Sequence, residues 1–136
     1  MKSLLLAISL FLLSSFTYAA AEFLGTYRCH GYDPYINANY SGTVIVKQQG
    51  PVYRLEMDYD TGERSLGTGG QYDPVLMSVV FQDKKNIKNT GLEQYHLSDD
   101  KKTMSGYWVY LGDDKLGKES CERVSDKATD KTKGHD

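Results

Sequence analysis

The sequence has little charge imbalance and no large basic segment. Its 136 residues carry 16 lysines and arginines against 18 aspartates and glutamates, a net charge of −2. Affinity for nucleic acid and for anionic membrane surfaces comes mainly from concentrated positive charge. The composition therefore argues against both classes of partner.

The sequence also lacks the short motifs of the common enzyme classes. It contains no Gly-x-Ser-x-Gly, no His-Glu-x-x-His and no phosphate-binding glycine loop. Asp58, Asp60 and Gly62 are spaced like the start of a calcium-binding loop, but Gly69 stands where that loop needs its bidentate glutamate. We therefore expect a protein without enzyme activity, metal or cofactor.

Only two cysteines are present, Cys29 and Cys121, one near each end of the predicted domain. They have too few ligand-type neighbours at short spacing for a metal site. In an exported protein such a pair is most simply a disulfide. The bond would close a loop of about 92 residues, which the chain-entropy model values at about 4–5 kcal/mol. It would also require the first and last strands to be neighbours.

The long hydrophobic run of the sequence lies at its N-terminus. Lys2 precedes a leucine-rich segment, residues 4–16, and small residues follow at positions that fit signal peptidase cleavage after Ala19 or after Ala21. We expect residues 1–21 to be a signal peptide and the protein to be exported, periplasmic or secreted. An uncleaved anchor is the alternative, because residues 4–21 are uncharged. After leader cleavage we expect no membrane span.

No segment shows a sustained helical period, whereas short β-branched and aromatic runs alternate with turn residues. We expect an all-β domain, residues 22–124, followed by a disordered polar tail, residues 125–136. An antiparallel up-and-down barrel closed by the disulfide is the expected fold, and a β-sandwich is the alternative. The eight predicted strands are 24–30, 41–48, 52–59, 64–72, 75–82, 90–97, 103–111 and 117–124.

The predicted fifth strand, residues 75–82, is apolar on both faces. Either the long connection 31–40 covers its outer face, which we favour, or this face meets a second subunit. We accordingly expect a monomer, with a dimer through residues 75–82 as the alternative.

Seven different short motifs are spread along the chain: Gly25–Gly31, Tyr40–Gly42, Val52–Leu55, Gly67–Gly69, Gly91–Tyr95, Gly106–Trp108 and Gly117–Glu119. The series resembles a group of small exported bacterial proteins that look like compact relatives of the calycin barrels, the lipocalin and avidin type. That resemblance implies a barrel that binds a ligand. The Tyr27–Cys29 segment is also similar to the first strand of exported lysozyme inhibitors, which are small disulfide-closed barrels.

Tyrosine is abundant: 11 occur in the chain, and ten of them lie beyond the leader. Tyrosine gives amphipathic contact area and is favoured at binding surfaces. We expect a ligand, an unknown small molecule or protein, at the open end of the barrel. The alternative is an interaction module, an enzyme inhibitor or adhesin, that acts through the 31–40 loop. The candidate contacts are Tyr27, Tyr35, Tyr40, Tyr53, Trp108 and Glu119.

Glu119 has two interpretations. It is either a surface carboxylate or a residue that points into the barrel, where Arg28 or Arg54 would pair with it.

Overall fold

The computed structural model of the chain describes residues 22–128, apart from the side chain of Tyr72. These residues form eight strands and no helix, so none of them builds a helix able to cross a membrane. All eight predicted strands are present, with ends that differ by a few residues. Their bounds are Gly25–Asp33 (β1), Ala38–Gln49 (β2), Val52–Tyr59 (β3), Arg64–Asp73 (β4), Leu76–Asp83 (β5), Thr90–Leu97 (β6), Thr103–Tyr110 (β7) and Gly117–Ser125 (β8).

The strands form a closed barrel. Each pairs antiparallel with the next along the chain, and β1 also pairs with β8. Short turns produce this order, because a tight hairpin can join only antiparallel neighbours. The predicted up-and-down barrel is confirmed, and the sandwich alternative is wrong.

The predicted disulfide is also confirmed. Cys29 on β1 and Cys121 on β8 lie directly opposite each other, with Cα atoms 4.0 Å apart. Because β1 and β8 meet at the seam of the barrel, the bond joins its first and last strands covalently. It links residues 92 positions apart in the sequence.

Inward-facing side chains fill most of the barrel. In β3, Tyr53, Leu55 and Met57 are buried and alternate with more exposed residues. Val44 and Val46 of β2 are fully buried in the same way. An eight-stranded barrel is just wide enough for such a core. The interior is therefore a packed core, and a small cavity lies near one end.

One end, which we call the plugged end, carries the β2–β3, β4–β5 and β6–β7 turns. Phe23 is fully buried there, and its ring meets that of Tyr53 edge-on at 6.0 Å. The Tyr27 hydroxyl donates to the Phe23 carbonyl at 2.9 Å and accepts from the Arg123 guanidinium. The opposite end, with the β1–β2, β3–β4, β5–β6 and β7–β8 turns, we call the open end.

The prediction of a long loop over residues 31–40 is wrong. Strand β1 continues to Asp33 and β2 begins at Ala38, so only four residues, 34–37, connect them. The pairing holds up to Asp33 opposite Ala38, with Gly31 opposite Tyr40. The segment is the end of a β-hairpin.

The hairpin does not cover the outer face of β5, which corrects the favoured expectation. Val80 on that face is 56% exposed. It lies in register with Leu92 of β6, which is 50% exposed. The alternative, a dimer through residues 75–82, stays a prediction.

The ends of the predicted domain fall close to those of the barrel. Ser125 belongs to β8, one residue beyond the predicted boundary, and the Lys127 carbonyl accepts a hydrogen bond of 2.8 Å from the Thr26 hydroxyl. The predicted signal peptide, 1–21, and residues 129–136 of the predicted tail lie outside the described residues.

Candidate functional site

Glu119 is a buried carboxylate at the centre of a tyrosine cluster. Its side chain points into the barrel from β8 and is only 3% exposed. Its oxygens accept hydrogen bonds from the hydroxyls of Tyr40 at 2.7 Å, Tyr59 at 3.0 Å and Tyr95 at 2.8 Å. Tyr40 in turn accepts a hydrogen bond of 2.9 Å from the Trp108 indole nitrogen. Four strands thus contribute hydroxyl or indole donors to one network around Glu119.

The expectation that an arginine would pair with an inward Glu119 is wrong. Arg28 and Arg54 are exposed, at outward positions of β1 and β3. Tyrosine hydroxyls take the place of the guanidinium. A carboxylate that accepts several hydrogen bonds can stay charged in a protein interior.

The disulfide lies against this network. Glu119 Oε1 is 3.2 Å from the Sγ atom of Cys121, two residues along β8. Glu119, Cys29 and Cys121 form the kind of cluster that can hold a metal ion. Both sulfurs are bonded to each other, however, and a thiolate is the form of cysteine that binds metals. This cluster is therefore part of the structural seam.

Glu93 on β6 is a second buried carboxyl group, and it lines the same cavity as Glu119. It is 2% exposed, and its Oε1 atom has no hydrogen-bond partner among the described residues. Glu93 lies in register with Trp108 of β7, and Trp108 with Gly117 of β8. A buried polar atom without a partner is costly, and such atoms in native structures call for an explanation.

The two carboxyl groups differ in what opposes the effect of burial on their pKa. Burial raises the pKa of Glu93 well above its ordinary value, the nearby charge of Glu119 raises it further, and the Tyr95 hydroxyl opposes the rise. Burial also raises the pKa of Glu119, but the hydroxyls of Tyr40, Tyr95 and Tyr59 oppose that rise. Glu93 is therefore the group of the pair that takes up a proton more readily.

Glycines opposite the aromatic residues position the rings of the site. A Cβ atom on Gly31 would lie 2.1 Å from the Tyr40 ring, and one on Gly117 would lie 2.0 Å from the Trp108 indole. Each glycine is directly opposite its aromatic partner in the adjacent strand. Only a residue without Cβ allows these rings to lie flat along the barrel wall.

A cavity of about 40 Å³ lies between this network and the open end, and about 400 Å³ is empty when the mouth is included. The smaller volume holds about two or three water molecules. Its acidic lining residues are Asp33, Glu63, Glu93 and Glu119, and its aromatic ones are Tyr40, Tyr59, Phe81, Trp108 and Tyr110. Met57 and Thr61 complete the wall.

Tyr35, in the β1–β2 turn, packs against two aromatic residues of the cavity wall. Its ring stacks on Trp108 at 6.0 Å and 27° and meets Tyr110 at 5.1 Å. Its backbone amide donates to Asp33 Oδ1 at 2.8 Å, and its hydroxyl donates to the Lys115 carbonyl at 3.1 Å. The turn is therefore held against the barrel, and Tyr35 supports the rings of Trp108 and Tyr110.

The structure divides the six candidate contacts between the two ends of the barrel. Tyr35, Tyr40, Trp108 and Glu119 come together at the open end. Tyr27 and Tyr53 belong to the plugged end, where Tyr53 contacts Phe23. Neither Tyr27 nor Tyr53 lines the cavity, and their role in ligand binding stays a prediction.

Sequence reasoning missed Glu93, Tyr59 and Tyr95. In β6, the residues at 91, 93, 95 and 97 share the buried face. That alternation was readable from Tyr95 and Leu97, and it would have placed Glu93 inside the barrel.

No protein-family model and no curated protein matches this chain. Solved structures with a similar fold include designed barrels. The redesigned β-barrel mFAP1, bound to DFHBI, has a TM-score of 0.62 at 10% identity, covering 75% of this chain and 95% of its own. The redesigned barrel b11L5F_LGL has a TM-score of 0.63 at 16% identity, covering 81% and 98%. A fluorescence-activating β-barrel designed de novo has a TM-score of 0.55 at 15% identity, covering 77% and 96%. At these identities the likeness shows the barrel fold alone.

Proposed function

We propose that the protein is an exported, non-enzymatic β-barrel that binds a small ligand in the cavity at its open end. The observation that carries the proposal is the Oε1 atom of Glu93, which is buried in the cavity wall without a hydrogen-bond partner among the described residues. A bound ligand that reaches this atom would supply the missing partner.

The architecture of the cavity supports this proposal. Ligand sites combine apolar and aromatic walls with a few convergent polar groups, and they occur in the mouths of β-barrels. Here the rings of Trp108, Phe81 and Tyr110 form the wall, and Glu93 supplies a polar anchor. The designed barrel mFAP1, of similar fold, is bound to DFHBI, so an eight-stranded barrel of this kind has room for a small molecule.

The chemistry of the cavity favours binding over catalysis. Glu119 is engaged by three tyrosine hydroxyls, which fix it in place and stabilise its charge. A general base must instead have a free lone pair within reach of a substrate proton. Burial raises the pKa of Glu93, which favours its neutral form, and a neutral carboxyl group is a poor base.

Export is supported by the disulfide, because such bonds persist in oxidising compartments. The interaction-module alternative is weakened by the position of Tyr35, which packs on Trp108 and Tyr110 instead of facing outward. Two other residues of the β1–β2 hairpin, Tyr32 and Ile36, are exposed.

Fluorescence of Trp108, the only tryptophan in the chain, tests the proposal directly. Small molecules of cationic, neutral and anionic classes would be titrated while the emission and the backbone amide NMR signals are followed. We expect at least one class to shift the signals of Trp108, Glu93 and Tyr110 together. Shifts confined to the plugged end, or none at the open end with any class, would contradict the proposed site.

A further inference from the structure

The cavity that forms the proposed ligand site is acidic throughout. Four carboxyl groups line it, those of Asp33, Glu63, Glu93 and Glu119, and no lysine, arginine or histidine of the described chain does. The ligand class therefore follows from charge: an anion would meet repulsion, whereas a cation would be attracted. This inference rests on the proposed function and specifies its ligand.

The carboxyl groups lie at two depths. Glu119 is directly opposite Gly31 in the β1–β8 pairing, and Asp33 is two residues further along β1 toward the mouth. Two strand residues span about 7 Å. Glu63, just before β4, also lies at the mouth, where it accepts a hydrogen bond from the Tyr110 hydroxyl at 3.3 Å.

Apolar and aromatic surface lines the same cavity. Phe81 and Trp108 are buried, and the Met57 side chain also belongs to this wall. Such surface suits methylene groups, and the faces of the rings also attract cations. The cavity therefore combines acidic groups with apolar surface that an alkyl chain can contact.

We propose that the ligand is a linear alkyl diamine in its dicationic form, with one ammonium group in the cavity at the buried Glu93 and Glu119 pair and the other at the mouth, beside Asp33 and Glu63. A spacer of about four carbons matches the rise of about 7 Å along the strands between Glu119 and the level of Asp33.

The unpartnered Glu93 oxygen selects among cations. It needs a hydrogen-bond donor, which a primary ammonium has and a quaternary ammonium lacks. A calcium ion would need six to eight oxygen ligands, whereas the oxygens of Glu119 already accept three tyrosine hydroxyls.

Binding exchanges a proton for the ammonium group. The charge of the ammonium group favours the ionised form of Glu93, so a proton that Glu93 holds leaves to solvent on binding. The groups that face Glu93 are the charge of Glu119 on β8 and the hydroxyls of Tyr40, Tyr59 and Tyr95 on β2, β3 and β6. The affinity for the diamine should therefore rise with pH while the amine stays protonated.

Isothermal titration calorimetry with three probes of similar length tests the inference: 1,4-diaminobutane, butylamine and 1,4-butanediol. We expect the diamine to bind at least tenfold more tightly than butylamine, and the diol not to bind. Glu93→Gln should weaken diamine binding about tenfold or more, and Glu63→Gln should remove most of the advantage over butylamine. Glu122→Gln, at an exposed position of β8, is the matched control and should change nothing.

Equal affinities of diamine and diol, or equal effects of Glu93→Gln and Glu122→Gln, would overturn the diamine assignment. So would butylamine binding as tightly as the diamine. If a neutral or anionic compound shifts the cavity signals in the NMR screen while the diamine does not, the assignment fails and the proposed function stands. If no compound of any class shifts them, both fail.

Discussion

The Sγ atom of Cys121 lies 3.2 Å from Oε1 of Glu119, so the disulfide that closes the barrel also touches the centre of its candidate site. The two residues share the inner face of β8. The covalent seam therefore fixes the strand that presents Glu119 to Tyr40, Tyr59 and Tyr95.

Replacing both cysteines, Cys29→Ala with Cys121→Ala, should lower the free energy of unfolding by about 2–5 kcal/mol, because the 92-residue loop is no longer closed in the unfolded chain. Urea denaturation of the variant and of the oxidised wild type measures the difference. Wild type under reducing conditions should behave like the variant. Equal stability of oxidised and reduced protein, or two free thiols in non-reduced peptide maps, would contradict a structural bridge.

Tyr40→Phe should destabilise the protein by about 1–3 kcal/mol. The change removes one donor to the Glu119 carboxylate and leaves the Trp108 indole nitrogen without its acceptor in a buried site. Tyr107→Phe is the matched control, since Tyr107 is 52% exposed on the outer face of β7. Thermal and urea unfolding compare the two. A Tyr40→Phe variant as stable as the Tyr107→Phe control would show that the network contributes little.

Glu93→Gln should stabilise the protein at about pH 7.5 and have little effect at about pH 4.5. The pKa of Glu93 is raised in the folded state above its ordinary value of 4.5. Its contribution to stability is therefore fully present below the unfolded pKa and is lost as pH rises through the folded pKa. The amide does not ionise, so the gain at the higher pH should be about 1–3 kcal/mol.

The measurement is urea denaturation at both pH values, with Glu122→Gln as the exposed control. A stability difference between Glu93→Gln and wild type that is independent of pH would argue against a raised pKa. Loss of stability at both pH values would show that Glu93 is ionised and bonded in the folded protein.

Gly117→Ala should disturb the site without introducing any polar change. The added Cβ atom would lie 2.0 Å from the Trp108 indole, so the ring must move. We expect a destabilisation of about 1–3 kcal/mol and a shifted Trp108 emission maximum. Ser120→Ala, on the outer face of the same strand, should leave both unchanged. An unchanged emission maximum in Gly117→Ala would mean that the indole does not rest on Gly117.

Alternation along the chain was enough to predict the barrel, since period-two patterns such as Tyr53, Leu55 and Met57 mark one buried face. The disulfide then identified which strands meet at the seam. The length of the β1–β2 hairpin was harder to predict. The segment beyond His30 has few aliphatic residues, and Asp33-Pro34 is typical of a turn, so the long pairing that places Gly31 opposite Tyr40 was not apparent.

The candidate site could be predicted only in part for a similar reason. Tyr40, Trp108 and Glu119 were identified from residue type. Glu93 was missed because a lone carboxylate between Leu92 and Gln94 resembles an exposed strand residue. The alternation of β6 places Glu93 on the face of Tyr95 and Leu97, but the groups that surround it there come from other strands, and those are not visible in local sequence.

Native mass spectrometry of the protein, purified from the cells that produce it, tests directly whether the barrel carries a small ligand. We expect a population that carries an additional small mass, lost on denaturation and absent from the Glu93→Gln variant. A bare protein at its calculated mass, less the two hydrogens of the disulfide, in both wild type and variant would contradict a resident ligand at Glu93.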